Sequence, residues 1–422
     1  MLDIKFVREN KDLVANAIRK RHCDFDLEKL LKIDQERKAV LGEVEKLRAD
    51  QNKASEDITR GSAKEREAAL IAMRSLKEIL SKKEDELKKL EEGFEKLMLT
   101  LPNIPDPSVP EGISEADNVE LRKSGEIPKF DFEAKDYVTL LLDLDIADFE
   151  RGVKVAGFRG YFLKNEGVSL SFGLWQLALE VLVKKGFVPF ISPALGRENI
   201  FMETCKLPQF REDFYATDDG LFLSPTAEVS MMGYHENEIL AESDLPKKYA
   251  AFSPCFRKEA GSYGKDERGL FRVHEFMKVE QIILCKAEHQ ESIRFHEELT
   301  RISEEIVGAL KLPYRVIINS TGDLPFGAVK MYDIECWVPS ENRYRETHSS
   351  SIIHDFQTRR LKIRYKGADG KIRFAHSLNN TAIATPRILH SLLEVHQQAD
   401  GSVLIPEALR KFAGTDIIRP KK

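Results

Sequence analysis

The sequence predicts an α+β protein in two parts: a long antiparallel helical hairpin at the N-terminus, then a larger domain on an antiparallel β-sheet flanked by helices. Three observations carry this prediction. Apolar residues in the first hundred positions fall into two heptad registers. A stretch holding four prolines, LPNIPDPSVPEG from Leu101 to Gly112, ends that pattern. Beyond it, short strand-like runs alternate with helical ones, the mark of strands joined by hairpins and covered by helices.

The first register runs Leu30, Ile33, Val40, Val44, Leu47, Ala54 and Ile58, with Arg37 and Gln51 in the remaining slots. The second runs Met73, Leu76, Leu80, Leu87, Leu90, Phe94, Leu97 and Leu101, interrupted at Lys83. Each describes a helix with a narrow apolar seam, and the two seams should zip together. Gly61 and Ser62 break the pattern between them, so the chain reverses there with Ser62 as a cap for the second helix. About thirty residues per helix at ~1.5 Å each make an arm on the order of 45 Å long. Seventeen acids and seventeen bases between Glu28 and Lys96 leave the arm electrically balanced. Taken alone, sustained heptads signal dimerisation or scaffolding more often than RNA binding. The prolines form a stiff connector over residues 101–112, which places the domain boundary so that 1–105 and 106–422 are separate domains.

After the connector, strands are expected at Gly220 to Pro225, Tyr314 to Asn319, Met331 to Val338 and Leu361 to Lys366, with helices near Leu170 to Lys185 and Gln290 to Leu310. Neither GxxxxGK[ST] nor a strand followed by GxGxxG occurs, so a P-loop or Rossmann site is not expected. At 422 residues with a net charge of −5, the chain is not a basic nucleic-acid binder as a whole, and any RNA contact must use local patches. Its five cysteines are scattered, odd in number and without a CxxC pair, which fits reduced thiols in a cytoplasmic protein. No leader peptide and no membrane span is expected.

The richest segment is Phe256 to Glu280, FRKEAGSYGKDERGLFRVHEFMKVE. It reads as two strands joined by a polar loop, with Gly261, Gly264 and Gly269 punctuating the turn and a bulge expected where the alternation slips at Glu275 and Phe276. Arg257 and Glu259 stand two apart on the entering strand and so share a face, and Arg272 projects from the returning one. An arginine fork suits a phosphate, and a neighbouring carboxylate suits an amino donor. Composition alone leaves that reading beside a solvated hairpin laced with surface ion pairs. Similarly, Thr226 followed by Glu228 reads equally as a helix-capping turn.

Order and spacing go further, because the segment resembles motif two of class II aminoacyl-tRNA synthetases in the form typical of seryl-tRNA synthetases. SPTAE at Ser224, FGAVKMYDIECWVP at Phe326, RYRETHSSS at Arg343 and LNNTAIATPR at Leu378 extend the resemblance, and the helical arm carries it across essentially the whole chain. What the resemblance implies is a class II catalytic domain that uses ATP and Mg2+ to turn L-serine into seryl-adenylate and then loads tRNA(Ser). Selenocysteine tRNA, which shares a long variable arm, is left open as a second acceptor. The resemblance further implies a cytoplasmic homodimer, with no membrane or DNA partner, whose motif one lies around Leu177 to Pro193. By the same resemblance, Arg257 and Arg387 are the catalytic arginines, and the ATP site comprises Arg257, Lys258, Glu259, Arg268, Arg272, Phe276, Glu346, Thr347, His348, Ser349 and Arg387. Within it Arg257 holds the α-phosphate, Glu259 accepts from the adenine amino group, and Phe276 and Arg387 enclose the ring. Glu346 and Ser349 would also hold the magnesium. Serine would sit among Thr226, Ala227, Glu228, Arg257, Glu280, Asn379 and Thr381. The arm would meet the tRNA through bases such as Lys46, Arg48, Lys53, Arg60, Lys64, Arg66 and Arg74.

The chain departs from the family in two places. Ser349, Ser350, Ser351 and Ile352 stand where Ser-Cys-Ser-Asn is common, after His348, which is expected to be a neutral packing or hydrogen-bonding residue. Pro386 replaces a glycine before Arg387, which is compatible with the first turn of a helix. Two other readings compete with a synthetase acting on tRNA: a ligase loading a carrier protein, and a noncatalytic RNA-binding or scaffold paralogue. The first is expected to lack the arm, and the second to lose Arg257, Glu259, Glu280 or Arg387; the arm and all four residues are present.

Overall fold

A computed structural model describes residues 1–60, 63–204, 206–208, 211–260 and 268–421, with the backbone alone for 57–60, 63–66, 68, 69 and 72. The chain forms two compact units, one of Leu2–Arg19 with Cys23–Pro102, the other of Met1, Lys20–His22 and Asn103–Lys422.

The first unit holds α1 (Ile4–Glu9), α2 (Lys11–Lys20), α3 (Leu27–Arg60) and α4 (Ala63–Thr100). Asp3 starts α1 by accepting the backbone N–H groups of Lys5 and Phe6. Helices α3 and α4 zip along the expected seam, where Val40, Val44, Leu80 and Leu87 are buried and Leu41, Leu47 and Leu90 pack against them. With 34 and 38 residues, the helices run on the order of 50 Å at ~1.5 Å per residue. The expected turn at Gly61 and Ser62 lies outside the described residues. One position differs from the seam: Asp34, not Ile33, is buried, at 1% exposure. A buried carboxylate needs partners, and Asp34 has Arg8 at 2.9 Å, Arg37 at 3.1 Å and Lys38 at 3.6 Å.

The second unit is built on β1 (Val119–Ser124), β2 (Val188–Ile191), β3 (Lys247–Phe256), β4 (Glu275–Cys285), β5 (Tyr314–Ile318), β6 (Lys330–Val338), β7 (Arg343–His354) and β8 (His376–Thr385). These form one eight-stranded sheet in the order β1-β5-β6-β7-β8-β4-β3-β2. Its neighbours are antiparallel except β2 and β3, which run parallel. The helices that matter for the site are α5 (Tyr137–Asp143), α6 (Glu166–Lys184), α7 (Ala227–Gly233), α8 (His289–Ala309), α9 (Phe356–Arg360) and α10 (Arg387–His396). Helix α6 is long and apolar enough to cross a membrane, but Leu170, Leu174, Leu177, Ala178 and Leu182 are buried, as in a core helix packed on a sheet.

Strand periodicity sorts the side chains of the central strands between two faces. Gln281 on β4 and Asn380 on β8 turn to α8, both donating to Ser303 Oγ at 2.9 Å. Lys278, Glu280, Asn379 and Thr381 turn the other way, toward the cavities described below.

The structure corrects four local expectations. Strand β3 ends at Phe256 and Glu259 has a left-handed φ of 55°, so Arg257 and Glu259 follow the strand and do not share one of its faces. The β3–β4 ladder runs without a register shift from Lys247 opposite Leu284 to Phe256 opposite Glu275, so no bulge occurs at Glu275; a shift falls instead between Thr381 and Ile383 on β8. Residues 271–274 are not strand. Phe271 and Val273 are both buried, and the N–H of Arg257 bonds to His274 O, so burial sets the period there without a ladder. The expected strand from Leu361 shortens to Arg364–Lys366 because Leu361 closes α9.

Candidate active site

Two adjoining cavities open on the sheet face away from α8. The larger, of about 510 Å³, is lined among others by Thr226, Glu228, Arg257, Glu259, Arg272, Lys278, Glu280, Ser349 and Asn379. The smaller, of about 110 Å³, shares Arg257, Glu259, Lys278 and Ser349 and adds Phe271, Phe276, Glu346, Thr347, Thr381, Pro386 and Arg387.

Two carboxylates face the larger cavity in contrasting environments. Glu228, in the first turn of α7, is 6% exposed and accepts from Gln357 Nε2 at 2.8 Å and Asn379 Nδ2 at 3.0 Å, with Lys206 Nζ at 3.0 Å. Burial opposes its charge, yet the Lys206 ammonium and the Gln357 amide outweigh burial and hold it below the usual carboxylate range. Glu280 is 3% exposed, and there burial wins over the Lys278 ammonium at 2.5 Å, so its carboxyl sits above that range. Thr381 Oγ1 lies 3.4 Å from Glu280 Oε2. Thr226 is both things its sequence context allowed: the N-cap of α7, accepting from the Glu228 N–H at 3.3 Å, and a cavity residue whose Oγ1 accepts from Lys278 Nζ at 2.7 Å.

The smaller cavity is aromatic and cationic. Arg257 is fixed at its backbone by two contacts with His274, through its N–H to His274 O at 2.9 Å and its carbonyl to His274 Nδ1 at 3.0 Å. Its guanidinium carbon lies 5.2 Å from the centre of the Phe276 ring. Arg387 opens α10 directly after Pro386, which occupies the N-cap. Its guanidinium lies 4.6 Å from the Phe271 ring and 3.4 Å from the Glu346 carboxylate. Arg345 lies 3.8 Å from the same Phe271 ring, so an apolar residue that sequence reasoning passed over braces Arg387.

The remaining candidates fall elsewhere. The Lys258 ammonium turns to the Tyr215 ring at 5.5 Å. Arg268 is exposed and lines a separate cavity with Tyr137, whose hydroxyl donates to Arg268 O at 3.2 Å. Ala227 is fully buried in α7. His348 is 1% exposed and turns inward, with Nδ1 2.8 Å from Thr347 Oγ1 and Nε2 3.1 Å from Ala382 O; burial pushes it down to about 4, so its ring is neutral. Among arm bases, Lys46, Arg48, Lys53 and Arg74 are exposed, and Arg48 pairs with Glu84 at 2.7 Å; the side chains of Arg60, Lys64 and Arg66 lie outside the described residues. The loop residues 261–267 also lie outside them.

Besides Phe271, the cavity residues not singled out from sequence include Lys278, Lys206 and Gln357. Lys278 was legible in principle, since it alternates with Phe276 and Glu280 on one strand face. Lys206 and Gln357 come from a loop and from α9, and no local pattern points to them. Chemically, the paired carboxylates suit a small ammonium compound, the arginines suit an anion next to it, and Phe276 facing a planar guanidinium suits a flat base.

Residues 1–105 match the family model of the seryl-tRNA synthetase N-terminal domain, and residues 211–396 match that of the class II tRNA synthetase core domain for glycine, histidine, proline, serine and threonine. A serine–tRNA ligase of Deinococcus radiodurans is 45% identical over 98% of both chains. The structure of seryl-tRNA synthetase from Pyrococcus horikoshii complexed with ATP superposes with a TM-score of 0.92 at 40% identity, over 100% of both chains. The cytoplasmic serine–tRNA ligase of Naegleria fowleri, in complex with AMP, is 30% identical with a TM-score of 0.87, over 100% of this chain and 99% of the other.

Proposed function

Since the chain belongs to the seryl-tRNA synthetase family, we propose that its larger cavity binds serine, its smaller one the adenosine of ATP, and that Arg257 bridges the serine carboxylate and the α-phosphate. The enzyme is a serine–tRNA ligase: it activates serine with ATP and charges tRNA with it. The observation that carries the residue assignment is that Arg257 and Glu259 line both cavities.

In the first step a serine carboxylate oxygen attacks the α-phosphorus and pyrophosphate leaves. Arg257 neutralises the two anions that must approach, and most of the rate enhancement in such a site comes from that prepaid positioning. The smaller cavity places Phe276 and Arg387 about the adenine, with Glu259 at its amino group. Glu228 and Glu280 receive the serine ammonium and hydroxyl. A partner left unpaired by alanine costs roughly 1–3 kcal/mol, so the hydroxyl is read by hydrogen bonding. In the second step a hydroxyl of the terminal adenosine of the tRNA attacks the carbonyl and AMP departs.

Magnesium fits the residues present. Among the described residues no group of three His, Cys, Asp or Glu can hold a metal, so the ion would rely on phosphate and water ligands besides Glu346 and Ser349, as this hard cation prefers. It would supply charge neutralisation on the phosphates.

Assembly as a homodimer is supported by large apolar side chains left exposed between Val153 and Leu195, including Val155 at 73%, Phe172 at 62% and Ile191 at 84%. Of these, Ile191 lies on β2, an edge strand of the sheet. The arm presents exposed bases suited to the tRNA backbone. Serine-dependent exchange of pyrophosphate into ATP, followed by charging of tRNA(Ser) and of selenocysteine tRNA, tests this reading; exchange with no amino acid would overturn it.

A further inference from the structure

We infer that Asp213 is the positioning residue that aims Glu259 at the adenine, an inference that rests on the adenine-reading role proposed for Glu259. The backbone of Glu259 has φ of 55°. That left-handed region is unfavourable for a residue with a Cβ and persists only where the surroundings impose it. Here one residue holds both flanks. The Lys258 N–H donates to Asp213 O at 2.9 Å, and the Ala260 N–H donates to Asp213 Oδ1 at 3.1 Å. Two bonds to Asp213 therefore straddle Glu259.

Asp213 is itself well anchored. It ends the short turn Arg211–Asp213 and leads into Phe214, which is 5% exposed and packs edge-on to the buried Phe201 ring at 5.6 Å. The Glu259 side chain is steadied separately, by Arg272 at 3.1 Å and Arg159 at 4.0 Å. Those arginines fix where the carboxylate ends, whereas Asp213 fixes the direction in which its Cβ leaves the chain. Without the Asp213 carboxylate the Ala260 N–H loses its partner, residue 259 relaxes to an ordinary conformation, and the carboxylate leaves the adenine edge.

The readout is recognition of the purine 6-position. ATP offers an amino donor there, and inosine triphosphate an oxygen acceptor. Serine-dependent pyrophosphate exchange is measured with both nucleotides for the wild type, Asp213→Ala, Asp213→Asn and Glu259→Ala. Asp213→Ala is expected to raise KM for ATP by about tenfold, the size of one lost hydrogen bond, to leave KM for serine within about twofold, and to narrow the preference for ATP over inosine triphosphate by about tenfold. Asp213→Asn retains the Oδ1 acceptor and is expected to restore both values. If Asp213→Ala does not fold, Asp213→Glu, which moves the acceptor by one carbon, carries the same expectation. A wild-type nucleotide preference in the Asp213 variants, together with loss of preference in Glu259→Ala, overturns the inference alone. An unchanged preference in Glu259→Ala overturns the adenine role of Glu259 itself. Equal rises in both KM values with the preference intact would mean a merely structural Asp213, and also overturn the inference.

Discussion

Acidification should destabilise the sheet unit through His296, and the size of the effect follows from its surroundings. His296 is 1% exposed in α8, with Nε2 2.9 Å from Ser350 O and its ring 4.4 Å from that of Tyr332. Burial pushes it down to about 4; the bond to Ser350 O opposes this, and Lys330 and Arg122 add to it. The folded value is depressed below that of the unfolded chain, ~6.5. The native state therefore resists a proton that the unfolded state accepts. Its contribution is fully present above about pH 6.5 and is lost as pH falls toward about 4. Between pH 7 and pH 5 the difference in proton binding amounts to about 2 kcal/mol from this group. The comparison is urea unfolding of the wild type and His296→Gln at both pH values, followed by fluorescence of Trp175 and Trp337, both in the sheet unit. Because each protein is compared with itself, the cost of the substitution at neutral pH cancels. The wild type should lose about 2 kcal/mol more than the variant on acidification. Equal losses would refute the argument that this imidazole is held neutral by burial.

Arg257→Ala should reduce pyrophosphate exchange by about 10²-fold or more while leaving the circular dichroism spectrum unchanged; full activity in the purified variant would remove Arg257 from its assigned role. Lys278→Met should destabilise the protein by roughly 3–5 kcal/mol, because Glu280 stays buried without its ammonium partner. The folded Glu280 value, already raised by burial, then rises further, so the variant's deficit should grow with pH; a deficit constant from pH 5 to pH 8 would show that Lys278 does not compensate Glu280. Replacing residues 45–86 by a short turn rejoins α3 and α4 near Val44 and Leu87, which share the seam. Serine activation should stay within about twofold while charging of tRNA falls by about two orders of magnitude, and undiminished charging would mean that the arm does not read the tRNA.

How much of this was legible in the sequence varied with the range of the interactions. The seam of the arm was, because a heptad states its own partner: Val40, Val44, Leu80 and Leu87 are buried where the register put them. Asp34 was not, because its burial depends on Arg8, twenty-six residues away in α1. Likewise the strands Tyr314–Ile318 and Lys330–Val338 showed in their alternation, whereas residues 271–274 mimic a strand while their period is set by burial of Phe271 and Val273.

By itself the sequence determined the α+β class, the hairpin arm and the family, and put forward Arg257, Glu259, Glu280 and Arg387 as site candidates, because heptads, alternation and motif spacing are written in neighbouring residues. Only the tertiary structure decided how these residues are held. The opposite shifts of Glu228 and Glu280, the bracing of Arg387 by Phe271 and the grip of Asp213 on both flanks of Glu259 each join segments far apart in the chain. Burial and Coulomb interactions depend on distance in space, and no local pattern encodes that distance.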